Sequence, residues 1–239
     1  MYKTINLTIS NADVGSDKFQ FAFAVNGISW SITTWDIDDI MLTALTGGKT
    51  LNLKVFLEGL YNSGGSMKQA YDITGPKYAT GIADKVSIEL HNATIYSTIE
   101  YSTGLINLNT NGTVINTIPN TLAGSYYITV NHRNSIGITS ATPVDFSSST
   151  ITYDFTVAAS QAYGSNQKDL GEGVFGLFGG DANFDGTVDM LDILLIETSS
   201  LGFSSGYISI DINGDGMVDA LDLILTDNNA SLPVSAITP

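Results

Sequence analysis

The sequence predicts a mainly β protein. An N-terminal β module covers residues 1–50, a β-sandwich covers 51–159, and a docking linker with a small C-terminal α-helical domain covers 160–239. Three observations predict it. Short apolar runs alternate with polar residues at the period of a strand and are separated by Gly and Asn turns. An Asp-rich loop occurs twice near the C-terminus, each copy followed by an apolar run. With 43% hydrophobic and only 14% charged residues over 239 positions, the chain is too apolar for disorder and long enough for a sizeable core.

In chain order, Ile5, Leu7 and Ile9 alternate as a half-buried strand. Phe19, Phe21, Phe23 and Val25 alternate again, Asn26 and Gly27 supply a two-residue turn, and Ile28, Trp30 and Ile32 return as the second arm of a hairpin. Residues 35–45 predict a short helix stopped by Gly47 and Gly48, and Asp36, Asp38 and Asp39 suit its solvated, dipole-favoured start. Strand patterns follow at 51–57, 86–90, 99–101, 114–118, 126–130 and 151–155, with Gly64, Gly65, Asn111, Gly112 and Gly124 between them, which is the spacing of a sandwich. His132 and Arg133 are neighbours on a strand, so one is expected to pack and the other to meet solvent. His91 and the tyrosines Tyr96, Tyr101, Tyr126 and Tyr127 read as ordinary strand residues rather than a platform for sugar rings. Residues 159–180 are rich in Gly, Ser, Asn and Gln, yet Val174, Phe175, Leu177 and Phe178 are more apolar than a flexible linker needs. They are expected to dock the C-terminal unit onto the sandwich and to cover the outer face of its first helix.

The repeated loop carries the chemistry. Asp181, Asn183, Asp185, Thr187, Asp189 and Asp192 stand at positions 1, 3, 5, 7, 9 and 12 of one copy; Asp211, Asn213, Asp215, Met217, Asp219 and Asp222 hold the same places in the other. A hard cation the size of Ca²⁺ takes about six to eight oxygens, and a twelve-residue loop can wrap them around it. Positions 1, 3 and 5 offer side chains, position 7 its carbonyl, position 9 a water-mediated contact, and position 12 closes the sphere from the following helix. Gly186 and Gly216 make the turn at position 6. Two Ca²⁺ ions are the expectation; Mg²⁺ prefers fewer protein oxygens and more water. Without metal, four crowded carboxylates per loop oppose folding, so binding and folding are coupled. Val188 and Val218, both at position 8, are expected to bridge the two loops. The helix beginning Met190, Leu191, Asp192, Ile193, Leu194, Leu195, Ile196 is apolar nearly all round and is expected to be buried on more than one side.

At these residues each loop resembles the F-hand of type I dockerins, in which a calcium loop precedes one helix and position 12 is Asp where the usual EF-hand has Glu. Dockerins carry two such repeats. A second resemblance lies upstream. Leu57, Glu58, Gly59, Leu60 and Tyr61, residues 124–134, Tyr153, Asp154 and Phe155, and residues 162–166 look like the β-sandwich that precedes a dockerin-like pair at the C-terminus of large secreted bacterial surface proteins. Asp227, Asn228, Asn229 and Ala230 fit that module too. The resemblance covers about residues 51–239 and implies an accessory tail without catalysis. Dockerins present loop positions 10 and 11 to cohesin. Here they hold Met190 with Leu191 and Ala220 with Leu221, apolar pairs that predict fixed intramolecular or oligomeric packing. Residues 8–12 and 15–19 look loosely like β modules of phage fibre and virion proteins.

No nucleophile elbow, phosphate loop or zinc-type His cluster occurs, and two His leave little for acid and base work, so the expectation is not an enzyme. The net charge is −15 with nine scattered Lys and Arg, which argues against nucleic acid as a partner. Eight of the 24 acids lie in the two loops, and two bound divalent ions would bring the total to about −11. The absence of Cys excludes disulfides and thiolate metal sites. No apolar run reaches the ~18 residues of a membrane span, and residues 1–10 lack the pattern of a secretory signal. The functional expectation is a calcium-stabilised adhesive surface protein, first of all a bacteriophage spike, fibre or decoration subunit at the virion surface. Its partners would be other virion proteins or a cell-surface receptor or glycan, with self-association into a homo-oligomer. The alternative is an extracellular bacterial cell-surface module that binds cohesin or carbohydrate.

Overall fold

A computed structural model describes residues 48–232 and 234–239. The N-terminal β module, hairpin and helix expected before Gly48 lie outside the described residues. In chain order the elements are β1 (Gly48–Lys54), β2 (Tyr61–Asn62), β3 (Ser66–Met67), β4 (Tyr71–Asp72), β5 (Gly75–Pro76), β6 (Ile82–Asn92), β7 (Ile99–Ser102), β8 (Ile106–Asn109), β9 (Thr113–Pro119), β10 (Ser125–His132), β11 (Ser135–Thr139), β12 (Val144–Asp145), β13 (Thr150–Asp154), β14 (Lys168–Gly171), β15 (Val174–Gly176), α1 (Met190–Leu201) and α2 (Ala220–Ala230).

The alternation of Leu51 and Leu53 with polar neighbours makes β1 a strand with one buried face. It is the middle of a three-stranded sheet, antiparallel to β9 and parallel to β13, with Leu51 beside Ile151. The larger sheet runs β11-β10-β6-β7, with β12 also paired to β10 and β8 to β6. The long β6 is shared: its first half pairs with β8 and its second with β7, while β10 runs along the opposite edge. Inward residues of the two sheets, among them Leu51, Leu53, Val86, Ile88, Leu90, Ile128, Val130 and Ile151, form one continuous core. The chain is therefore mainly β, a sandwich followed by a small two-helix domain.

The segment between them does part of what its apolar residues predict. Leu177 forms a parallel bridge with Leu57 and is wholly buried in the sandwich core, its N–H donating to Phe56 O at 2.8 Å. Phe178 packs in a separate cluster with Ile136, Val188 and Val234. The outer face of α1, however, is not covered. Of its residues only Asp192 and Ile196 are buried. The α1 helix needs no second cover because Ile196 alone joins the small core with Ala182, Ile212 and Val218.

Two polar clusters join the sandwich to the C-terminal domain. In the first, Glu58 accepts from Gly179 N (2.9 Å) and Asn229 Nδ2 (2.5 Å) and pairs with Lys168 Nζ (2.8 Å). Asn229, fully buried on α2, also donates to Gly179 O and accepts from Lys168 Nζ. The second centres on Asp84 of β6, which has no solvent exposure. It accepts from Arg133 Nε (3.2 Å) and from Tyr207 Oη (2.5 Å). His132 Nε2 lies 3.2 Å from the same carboxylate without the alignment of a hydrogen bond. Arg133 also donates to Ile208 O and lies over the Tyr207 ring.

The expected division of His132 and Arg133 into one packed and one solvated neighbour is thus wrong. β10 ends at His132, so Arg133 turns back and both reach Asp84. Burial pushes the Asp84 carboxyl up, but His132, Arg133 and the Tyr207 hydroxyl together hold it well below the usual carboxylate range. Burial dominates at His132 and lowers it, against the opposing pull of the Asp84 carboxylate. Replacing Asp84 by Ala strands a buried guanidinium and should cost about 3–5 kcal/mol of stability, measured by urea unfolding at neutral pH.

Candidate metal centre

Both loops fold by the same local rules. Asp189 and Asp219 cap α1 and α2, their carboxylates accepting from Leu191 N and Leu221 N at 2.7 Å. Asp192 and Asp222 reach back to the capping N–H groups at 2.9 Å, completing a capping box in each helix. The other oxygen of each position-12 Asp turns into the loop. Asp192 accepts from Ala182 N and Asn183 N, and Asp222 from Asn213 N. Asn183 and Asn213 accept from Asp185 N and Asp215 N at 2.8 Å, and Asp185 and Asp215 in turn accept from Thr187 N and Met217 N. Gly186 and Gly216 take positive φ of 82° and 86°, which supplies the sharp turn expected at position 6.

The twelve predicted residues therefore lie in two matching loops. Among the described residues no three His, Cys, Asp or Glu groups form a ready-made metal cluster. Each loop mixes carboxylates with amide and carbonyl oxygens, and separate backbone donors hold its acids. The donor set is nonetheless that of a hard, oxygen-loving cation. Asp181 Oδ1 is buried and has no hydrogen-bond partner, an acceptor that a cation would satisfy. Burial first, then the charge of Asp192, pushes the Asp181 carboxyl up to about 6. Asp211 is raised to about 6 by burial, with Asp222 adding to the rise and Arg133 opposing it. Asp192 and Asp222 are raised for the same first reason, burial, against the pull of their backbone donors. Asp181, Asn183, Asp185, Asp192 and the Thr187 carbonyl would hold an ion in the first loop, and Asp211, Asn213, Asp215, Asp222 and the Met217 carbonyl in the second.

The two loops do not bridge through Val188 and Val218 as expected. Val188 N donates to Val234 O (3.0 Å) and Val218 N to Ser204 O (3.0 Å), so each loop pairs with its own partner segment. Position 4 was not legible as special, yet both loops need a left-handed residue there: Phe184 (φ 64°) and Gly214 (φ 71°). The capping role of Asp189 and Asp219 was also missed, although Asp followed three residues later by Asp before an apolar run is its signal.

Two acid-rich loops, each leading into one helix, define a small domain of the paired calcium-loop class. The family model for the dockerin type I domain matches residues 179–229, so this C-terminal region is dockerin-like, with a β module before it. Dockerin domains bind calcium, in keeping with the donor set. No curated protein matches the chain. Among solved structures, a C-terminal interface mutant of a type II cohesin–X–dockerin complex from Acetivibrio cellulolyticus is similar at 15% identity and TM-score 0.45, covering 76% of this chain and 95% of that one. An N-terminal interface mutant of the same complex is similar at 13% identity and TM-score 0.43, with the same coverages.

A carboxyl raised on folding favours the folded state below its unfolded value, and that gain is lost as pH rises through the folded value. In chelator, the C-terminal domain should therefore become less stable as pH climbs from 4 to 7 through about 6. With millimolar Ca²⁺ the trend should flatten or reverse, because metal selects the ionised ligands. Melting temperatures across that range, with and without chelator, check both signs. Asp215→Ala should lower the melting temperature in Ca²⁺ and reduce the further loss caused by chelator.

Proposed function

We propose that the chain is a non-enzymatic, extracellular bacterial surface module whose dockerin-like domain, folded around two Ca²⁺ ions, binds a cohesin. One observation carries this reading. The sequence predicts that the apolar residues at loop positions 10 and 11 are packed away, whereas Met190 is 70%, Leu191 56% and Leu221 58% exposed. With Leu194 at 55% and Ile224 at 56% they line corresponding faces of the two helices. Large apolar residues grouped on both helices, with no cover among the described residues, are what a protein partner buries. The match to the dockerin family indicates which kind of protein that is.

The virion reading, of which the loose resemblance at residues 8–12 and 15–19 is one part, draws no comparable support. A second occupant of the same face has the exposure in its favour: another copy of this chain. No helix among the described residues is long and apolar enough to cross a membrane. Calorimetric titration of the calcium-loaded chain against type I and type II cohesins should show binding that chelator abolishes. Leu194→Asp with Ile224→Asp should weaken it by about tenfold or more while leaving the fold intact. Absence of binding to either cohesin type, together with calcium-dependent dimers in sedimentation, would replace the cohesin reading by self-association.

A further inference from the structure

The two loops share a sequence pattern and a hydrogen-bond pattern but not an environment. In the first, Asn183 and Gly186 are partly exposed, and Phe184 and Asp185 are exposed. In the second, Asn213, Gly214 and Gly216 are buried and Asp215 is half-buried. The sandwich causes the difference. Gly59 lies so close to the second loop that a methyl group there would come within 2.0 Å of Ile212 O. Tyr71 N donates to Gly214 O (3.0 Å), and Asn134 Nδ2 donates to Asp211 O (2.8 Å), the backbone of the position-1 ligand. Gly216 packs against the backbone of Asp72. The first loop instead borders an open cleft of about 280 Å³ lined by Asp181, Phe184 and Gly186.

Resting on the two-ion reading above, we infer that the sandwich makes the loops unequal. The second holds its ion as a closed structural site, and the first exchanges its ion with solvent. The physical reason is local opening. An ion leaves when its loop distorts, and the second loop distorts only if contacts with Gly59, Tyr71, Asp72 and Asn134 are broken as well. The first loop meets the sandwich through Val188, packed against Ile136 of β11, and is edged by residues 234–236, but Phe184 and Asp185 at its tip face solvent, so that tip opens at lower cost. Calcium near the affinity of the first site would then change that loop alone, without loosening the junction.

The test is chelator-driven release from the full calcium-loaded chain, followed in stopped flow with a fluorescent chelator, with stoichiometry fixed beforehand by equilibrium dialysis. Two phases of equal amplitude are expected, the slower by about tenfold or more. Asp185→Ala should remove the fast phase and keep the slow one. Asn134→Ala leaves every ligand side chain in place and should speed only the slow phase. Two ions released in a single phase, or a slow phase lost in Asp185→Ala, would overturn the inference while leaving the calcium reading intact. No bound calcium in dialysis would instead overturn the calcium reading, and this inference with it.

Discussion

Crowded carboxylates are the constraint on which the C-terminal half is built. Four acids in each twelve-residue loop must be brought together while every oxygen finds a donor or a positive charge. The backbone supplies most of this: N–H groups of the loop and of the capping residues Asp189 and Asp219 point at Asp192, Asp222, Asp185 and Asp215. Burial and mutual charge still raise Asp181 and Asp211, and Asp181 keeps an oxygen with no partner. A bound divalent cation would offset both raised carboxyls and satisfy that oxygen, so the acids that weaken the empty loop are the ones that would hold the ion.

Charge compensation also decides how the domain attaches. Asp84 and Glu58 are sandwich acids, yet their donors come largely from beyond the strands: Tyr207 ahead of the second loop, Asn229 at the end of α2, Lys168 and Gly179 from the connecting segment. Because these polar contacts fix the domain, only one side of each helix packs inward, through Ile196 on α1 and Leu223 and Leu225 on α2. That is why Met190 and Leu191 can stay in solvent although their composition suggests a buried helix.

Period-two alternation and Gly-Asn turns made most sandwich strands legible, because one face of each is buried. Of the strands that went unread, β8 alternates over only four residues and β11 does not alternate in burial. β11 is buried at Ser135, Ile136, Ile138 and Thr139 alike, and the parallel partnership of β1 with β13 is a long-range choice that no local pattern encodes. At the two acid-rich loops the repeat spacing was enough to place all twelve expected residues in matching turns, because the same backbone hydrogen bonds shape both. What spacing left out was the surroundings. Position 8 was assigned a partner by symmetry between the loops, but Val188 and Val218 pair with segments that lie outside both. His132 and Arg133 were misjudged because the strand stops between them, a boundary set by tertiary contacts with Asp84.

The clasp on the first loop has a temporal side. Its edge is completed by residues 234–236, through Val188 N to Val234 O and Ala236 N to Gly186 O, and Asn166 Nδ2 holds Ser235 O from the other side. The earlier of the two loops in the sequence therefore waits for a segment made after both helices. During synthesis from the N-terminus the second loop can settle on the finished sandwich first, and the edge of the first loop is completed only when the returning segment arrives.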